Sequence, residues 1–142
     1  MLTENEIISE LKKLYIFEGI SENTIEKVLK NGEIQKFEPN TIIINQGDNS
    51  NSKAYIILEG EVSVFIDSNF VAHIGKGNIF GEYALICDEQ RSATIKTNTP
   101  LIALVIDKEI IFTLVAEDIN INKIITSRIE ENMKNGRGNF GE

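Results

Sequence analysis

Between Glu33 and Ile106 short apolar stretches alternate with turn chemistry every few residues, and on both sides of that block the apolar period becomes helical. This double change of period restricts the fold more than any other feature. A two-residue period suits a half-buried strand, and a period near 3.6 suits an amphipathic helix. Val62, Val64 and Ile66 alternate with Glu61, Ser63 and Phe65. Gln46-Gly47-Asp48-Asn49, Glu59-Gly60, Asp67-Ser68-Asn69 and Gly75-Lys76-Gly77-Asn78 mark turns. Strands are predicted near 33–38, 41–46, 53–59, 61–66, 69–74, 92–97 and 100–106. That spacing belongs to a sandwich or barrel of jelly-roll character.

The flanks complete an order of helices, β-roll, helices. Leu2, Ile7, Ile8, Leu11, Leu14 and Tyr15 predict a helix over 2–15, broken by Phe17-Glu18-Gly19-Ile20. Ser21 reads as an N-cap with Glu22 in the first turn, and Ile25, Val28 and Leu29 form a short second helix that Asn31-Gly32 stops. After Ile106, Ile110, Ile111, Leu114 and Val115 form one apolar face, and Ile121, Ile124, Ile125, Ile129 and Met133 another. Two helices, or one bent near Asp118–Asn120, are expected. The expected organisation is one domain over 1–134: a lead-in over 1–32, the roll over 33–106 and C-terminal helices over 107–134. The Gly-rich end, 135–142, reads as a flexible tail. Its Gly136, Gly138 and Gly141 match a dinucleotide fingerprint in letters only, because no strand precedes them and no helix follows.

Composition narrows the function classes. The 142 residues carry a net charge of −8, which argues against nucleic acid and against an anionic membrane. A small anion remains compatible, because it feels the local field and not the total. One Cys excludes an internal disulfide, and one His with one Cys falls short of a zinc or cupin-like metal set. No signal peptide and no membrane-length apolar run is visible, so a cytoplasmic location is expected. His73 reads as a strand residue that could lie close to a ligand, with no nucleophile or acid beside it in sequence, and Cys87 as incidental.

Arg91 is the only guanidinium in the first 127 residues; Arg128 and Arg137 follow near the end. It is predicted to open the strand Ser92-Ala93-Thr94-Ile95. Upstream, Gly75-Lys76-Gly77-Asn78-Ile79-Phe80-Gly81-Glu82-Tyr83-Ala84-Leu85-Ile86 runs from a glycine-marked turn into one helical turn. Backbone N–H groups after a glycine, together with an Arg fork, suit phosphate oxygens. Glu82 suits a sugar hydroxyl as acceptor. A phosphate clamp beside a ribose acceptor suggests a nucleotide.

Phe80-Gly81-Glu82-Tyr83-Ala84-Leu85 followed by Arg91-Ser92-Ala93-Thr94 resembles the phosphate-binding cassette of cyclic nucleotide-binding domains. Gln46-Gly47-Asp48, Tyr55–Val62 and Gly75–Glu82 stand in that family's order and spacing, and Leu14–Ser21 resembles its N-terminal lead-in. The resemblance covers roughly 11–134. It implies a mainly β fold with flanking helices: an eight-stranded antiparallel jelly-roll-like β-roll that binds a 3′,5′-cyclic nucleotide. By resemblance Arg91 pairs with the cyclic phosphate and Glu82 accepts from the ribose 2′-hydroxyl. Gly81 and Ala84 offer backbone N–H groups, Ser92 bonds the phosphate or the purine edge, and Ala93 is small for close approach. Gly47 and Gly60 are turn glycines. Tyr83 stands where the family more often has an aliphatic residue, which puts a ring at the pocket mouth. Pro39-Asn40 replaces a common Lys-Gly turn. The acidic loop Cys87-Asp88-Glu89-Gln90 is expected to weaken binding by about 1 kcal/mol at most.

The function that follows is a regulatory sensor and not an enzyme, with no catalytic and no metal residues and no cofactor beyond its ligand. Ser92 favours cyclic AMP over cyclic GMP, since a Thr there accompanies cyclic GMP in the family. The last helix is expected to act as a lid, with Ile121, Ile124, Ile125 and Arg128 as its candidate residues. The signal would pass through the C-terminal helices to an effector protein or a homodimer, or the chain is a fragment of something longer. The competing reading is an interaction or scaffold domain with an unused or repurposed pocket.

Overall fold

A computed structural model describes residues 2–134, the side chains of 114–117 excepted. The predicted Gly-rich tail with Arg137, and the side chains of Leu114 and Val115, lie outside the described residues.

Helix α1 (Glu4–Lys12) begins at a reciprocal cap. Thr3 Oγ1 accepts from the Glu6 N–H at 3.2 Å, and Glu6 Oε1 accepts from the Thr3 N–H at 3.2 Å. The helix predicted to reach residue 15 stops at Lys12. Leu14 turns extended and Tyr15–Phe17 winds as a 3-10 turn. Leu14, Ile16 and Phe17 are all buried; a continuous helix, turning about 100° per residue, would keep Leu14 and Phe17 on one face and turn Ile16 to the far side. Helix α2 (Glu22–Asn31) starts where expected, with Ser21 Oγ accepting from the Thr24 N–H at 3.3 Å.

Eight strands follow: β1 (Glu33–Phe37), β2 (Ile42–Ile44), β3 (Lys53–Glu59), β4 (Glu61–Ile66), β5 (Asn69–Gly75), β6 (Ile79–Phe80), β7 (Thr94–Thr97) and β8 (Leu101–Asp107). They form two antiparallel four-stranded sheets, ordered β1-β8-β3-β6 and β2-β7-β4-β5. The eight strands implied by the resemblance are present. Periodicity alone reveals seven, because β6 has two residues and no measurable period; it is a strand through its pairing with Tyr55 and Ile56. Asp67 and Ser68 link β4 to β5 with φ of 52° and 67°, the two-residue primed turn whose twist matches a hairpin. Gln46 clasps that turn, accepting from the Asp67 N–H at 2.8 Å and donating to Asp67 Oδ1 at 2.9 Å. Gly60 has φ 99°, and a Cβ there would run into the Pro100 carbonyl oxygen. Asn40 takes φ 62° at the turn after Pro39, a left-handed conformation that Asn tolerates.

Strands β3 and β8 are buried on both faces. Tyr55, Ile57, Leu101, Ala103 and Val105 face the interior of the roll with Val62, Val64, Phe80, Ala93 and Ile95. Ala54, Ile56, Leu58, Leu104 and Ile106 face a second core built with the helices. This explains the unbroken apolar run Leu101–Ile106, since a strand covered on both sides loses its alternation.

Two helices close the fold, α3 (Lys108–Glu117) and α4 (Ile119–Lys134). Ile110, Ile111, Ile125 and Ile129 are buried in the helical core, whereas Ile124 is exposed. The stripe predicted on α4 is therefore split between core and surface. No helix among the described residues is long and apolar enough to cross a membrane.

Candidate ligand site

The site grows from the end of β6. Gly81 takes φ 73°, the left-handed conformation that favours glycine. It caps a short 3-10 helix, Glu82–Leu85. The turn buries Glu82, which is 4% exposed, together with Ala84 and Leu85. Glu82 Oε2 accepts from the Tyr15 hydroxyl at 2.9 Å. The Ala84 N–H donates to the Gly81 carbonyl at 3.2 Å.

Arg91 is 6% exposed. Its Nη1 donates to the same Gly81 carbonyl at 3.2 Å, and its Nη2 donates to Asn51 Oδ1 at 2.7 Å and to the Lys53 carbonyl at 2.9 Å. The backbone is tied as firmly: the Arg91 N–H donates to Asp48 O and the Gly47 N–H donates to Arg91 O, both at 2.8 Å. These two bonds explain why β7 begins at Thr94 and not at Ser92. Arg91 pairs with the Gly47-Asp48 turn in place of a strand ladder. One guanidinium thus joins the 51–53 segment to the cassette turn, a task for a planar fork with several donors.

A cleft of about 510 Å³ opens beside this arrangement, between the lead-in, β5, the Gly77–Ile79 turn and α4. Its volume falls among small-molecule sites. Glu82, Tyr15, His73 and Asn132 line it; Arg91, Ser92 and Ala93 do not. Gly81, Glu82, Ala84 and Arg91 are therefore brought together through Gly81, and of these Glu82 borders the cleft. Ala93 is fully buried inside the roll and Ser92 is exposed. Tyr83, expected at the pocket mouth, packs against the helical core and does not line the cleft. The acidic loop is partly neutralised, since Lys108 Nζ lies 3.3 Å from Asp88 Oδ2.

His73 has closer polar neighbours than its sequence surroundings suggest. Strand pairing sets it opposite Ser63, and its Nδ1 lies 3.2 Å from Ser63 Oγ, 3.0 Å from Asn98 Nδ2 and 3.5 Å from Glu61 Oε1. Ser63 donates its proton to Asn98 Oδ1 at 2.6 Å, so the hydroxyl is engaged away from the imidazole and the group is a polar network at the cleft rim. Among the described residues no three His, Cys, Asp or Glu side chains converge as a metal site. Sequence reasoning missed Tyr15 and Asn51 as site residues. They lie 67 and 40 positions from Glu82 and Arg91, and no local pattern marks them.

The chain belongs to the cyclic nucleotide-binding domain family, whose profile matches residues 34–118, more than half of its length. It is 34% identical over 115 residues to a cGMP-dependent protein kinase of Eimeria tenella, covering 80% of this chain and 11% of the kinase. It is 30% identical over 108 residues to a cAMP-dependent protein kinase regulatory subunit of Candida albicans, covering 75% of this chain and 23% of the subunit. The chain thus spans less than a quarter of either relative. Among solved structures it resembles the regulatory domain of Toxoplasma gondii PKA with cAMP, with TM-score 0.71, 23% identity, and coverage of 80% of this chain and 46% of that one. A cyclic nucleotide-binding-like protein from Brucella abortus gives TM-score 0.69 at 23% identity, covering 78% of this chain and 97% of that one. These two share the fold. The chain is accordingly a cyclic nucleotide-binding regulatory domain, homologous to the regulatory part of such kinases.

Proposed function

We propose that this domain is a cytoplasmic sensor that binds a 3′,5′-cyclic nucleotide, cyclic AMP in preference to cyclic GMP, and turns nothing over. The observation that carries this reading is a buried carboxylate, Glu82, bordering a 510 Å³ cleft next to the glycine whose carbonyl a buried arginine holds. In this reading Glu82 accepts from the ribose hydroxyl and Arg91 serves the cyclic phosphate. Gly81 and Ala84 supply backbone N–H groups, that of Ala84 exchanging its 3.2 Å bond to the Gly81 carbonyl for the ligand, and Ala93 leaves room for the strand to approach. The relatives' names divide between the two nucleotides, so the preference rests on Ser92.

The signal is proposed to leave through α4. Arg128 Nη1 donates to the Ile16 carbonyl of the lead-in at 3.1 Å, and Asn132 of the same helix lines the cleft. A ligand that touches Asn132 differently in two positions of α4 would shift the balance between them. The receiver is an effector protein or a second copy reached through the C-terminal helices.

Calorimetric titration tests the reading. Cyclic AMP is expected to bind more tightly than cyclic GMP, and the absence of binding by both at millimolar concentration sinks the proposal. Arg91→Ala is expected to weaken binding by about 2 kcal/mol, through loss of the phosphate partner in this reading and of the ties that hold Gly81, Asn51 and Lys53.

A further inference from the structure

The cleft ends on a hydrogen bond that the protein makes to itself. The Tyr15 hydroxyl donates to Glu82 Oε2 at 2.9 Å, and both residues line the same cleft. Glu82 is buried, so water competes weakly there and a charge-assisted bond is stronger than at the surface. Ile16 and Phe17, the next two residues of the turn, are fully buried, while Tyr15 is half-buried. The turn is anchored, and the phenol stands at the cleft edge. A phenol on a carboxylate oxygen is chemically what a sugar hydroxyl would be, a neutral O–H donor. Both would approach Glu82 from the cleft.

We propose that Tyr15 is a competitor built into the site. Its phenol holds Glu82 Oε2, and a ligand hydroxyl that comes to that oxygen from the cleft displaces it, so Tyr15 sets the affinity and the advantage a ribose hydroxyl confers. This rests on the reading of Glu82 as the acceptor of that hydroxyl. Exchanging one donor for another gains little, whereas a carboxylate without the phenol gains a whole bond when ligand arrives.

The test uses the full chain, with cyclic AMP and its 2′-deoxy analogue as calorimetric probes. Tyr15→Phe keeps the ring and removes the donor. It is expected to bind cyclic AMP about tenfold more tightly and the 2′-deoxy analogue with unchanged affinity, since that ligand leaves the phenol in place. In thermal unfolding the variant is expected to melt below the wild type without nucleotide, with the gap closing at saturating cyclic AMP. Unchanged or weaker binding of cyclic AMP by Tyr15→Phe overturns the proposal. Equal tightening of both ligands also overturns it, because the ring would then act by bulk. Glu82→Gln separates the two readings. If it weakens cyclic AMP binding while Tyr15→Phe does not tighten it, the competitor is wrong and the acceptor stands. If Glu82→Gln leaves binding intact, or the wild type binds neither ligand at millimolar concentration, both fall.

Discussion

Arg91 is charged and almost fully buried, and it survives there because oxygens from Gly81, Asn51 and Lys53 receive its N–H groups. Such a group is costly to half-remove, since the acceptors left behind remain buried. Lysine carries the same charge as a point on a flexible stem and cannot span these oxygens together. Arg91→Lys is therefore expected to destabilise the domain by about 2–4 kcal/mol. Urea unfolding checks this, and a loss below about 1 kcal/mol would show that the fork carries little of the local structure. Gly81 belongs to the same scale. Its left-handed φ of 73° lets β6 end and the 3-10 helix begin within one residue.

At the scale of elements, the start of α1 rests on the exchange between Thr3 and Glu6. The Thr3 backbone N–H, and then its hydroxyl, hold the Glu6 carboxyl below its ordinary pKa. A lowered folded pKa means that the unfolded chain takes up the proton first. The cap therefore contributes in full above the ordinary glutamate range and is lost as pH falls through the folded value. An NMR titration is expected to place the Glu6 midpoint below that of an ordinary glutamate, with faster amide exchange in the first turn of α1 at pH values below it. Thr3→Ala keeps the backbone N–H and loses the hydroxyl, so it should return the midpoint only part of the way to the ordinary range. The signal for this cap is local, because Thr3 and Glu6 stand three residues apart, although apolar spacing alone starts the helix at residue 2. The end of the same helix has no such local signal, because burial of Leu14, Ile16 and Phe17 by distant strands and helices decides it.

For the whole molecule, β3 and β8 are walls common to the interior of the roll and the helical core. Neither core can open without exposing the other, so a single cooperative transition is expected. The chain has three tyrosines and no tryptophan. Tyr55 lies in the inner core, while Tyr15 and Tyr83 pack against the helical one. Tyrosine fluorescence and far-ultraviolet circular dichroism should report the same urea midpoint. Two separated midpoints would mean that the cores unfold independently.

The amino-acid sequence by itself determined the order of helices, roll and helices, the turns at Gly60 and Asp67-Ser68, and the prominence of Arg91 and Glu82. Each is a matter of period, turn chemistry or spacing, and those act between residues a few positions apart. The family resemblance extended this to an eighth strand too short to show a period. Only the tertiary structure decided that Tyr15 sits on Glu82, that Asn51 sits on Arg91, that β7 starts late and that Tyr83 turns toward the helices. Those outcomes depend on which segments the closed roll and its helices bring within about 3 Å of one another, and no pattern local to the chain records a distance across the fold.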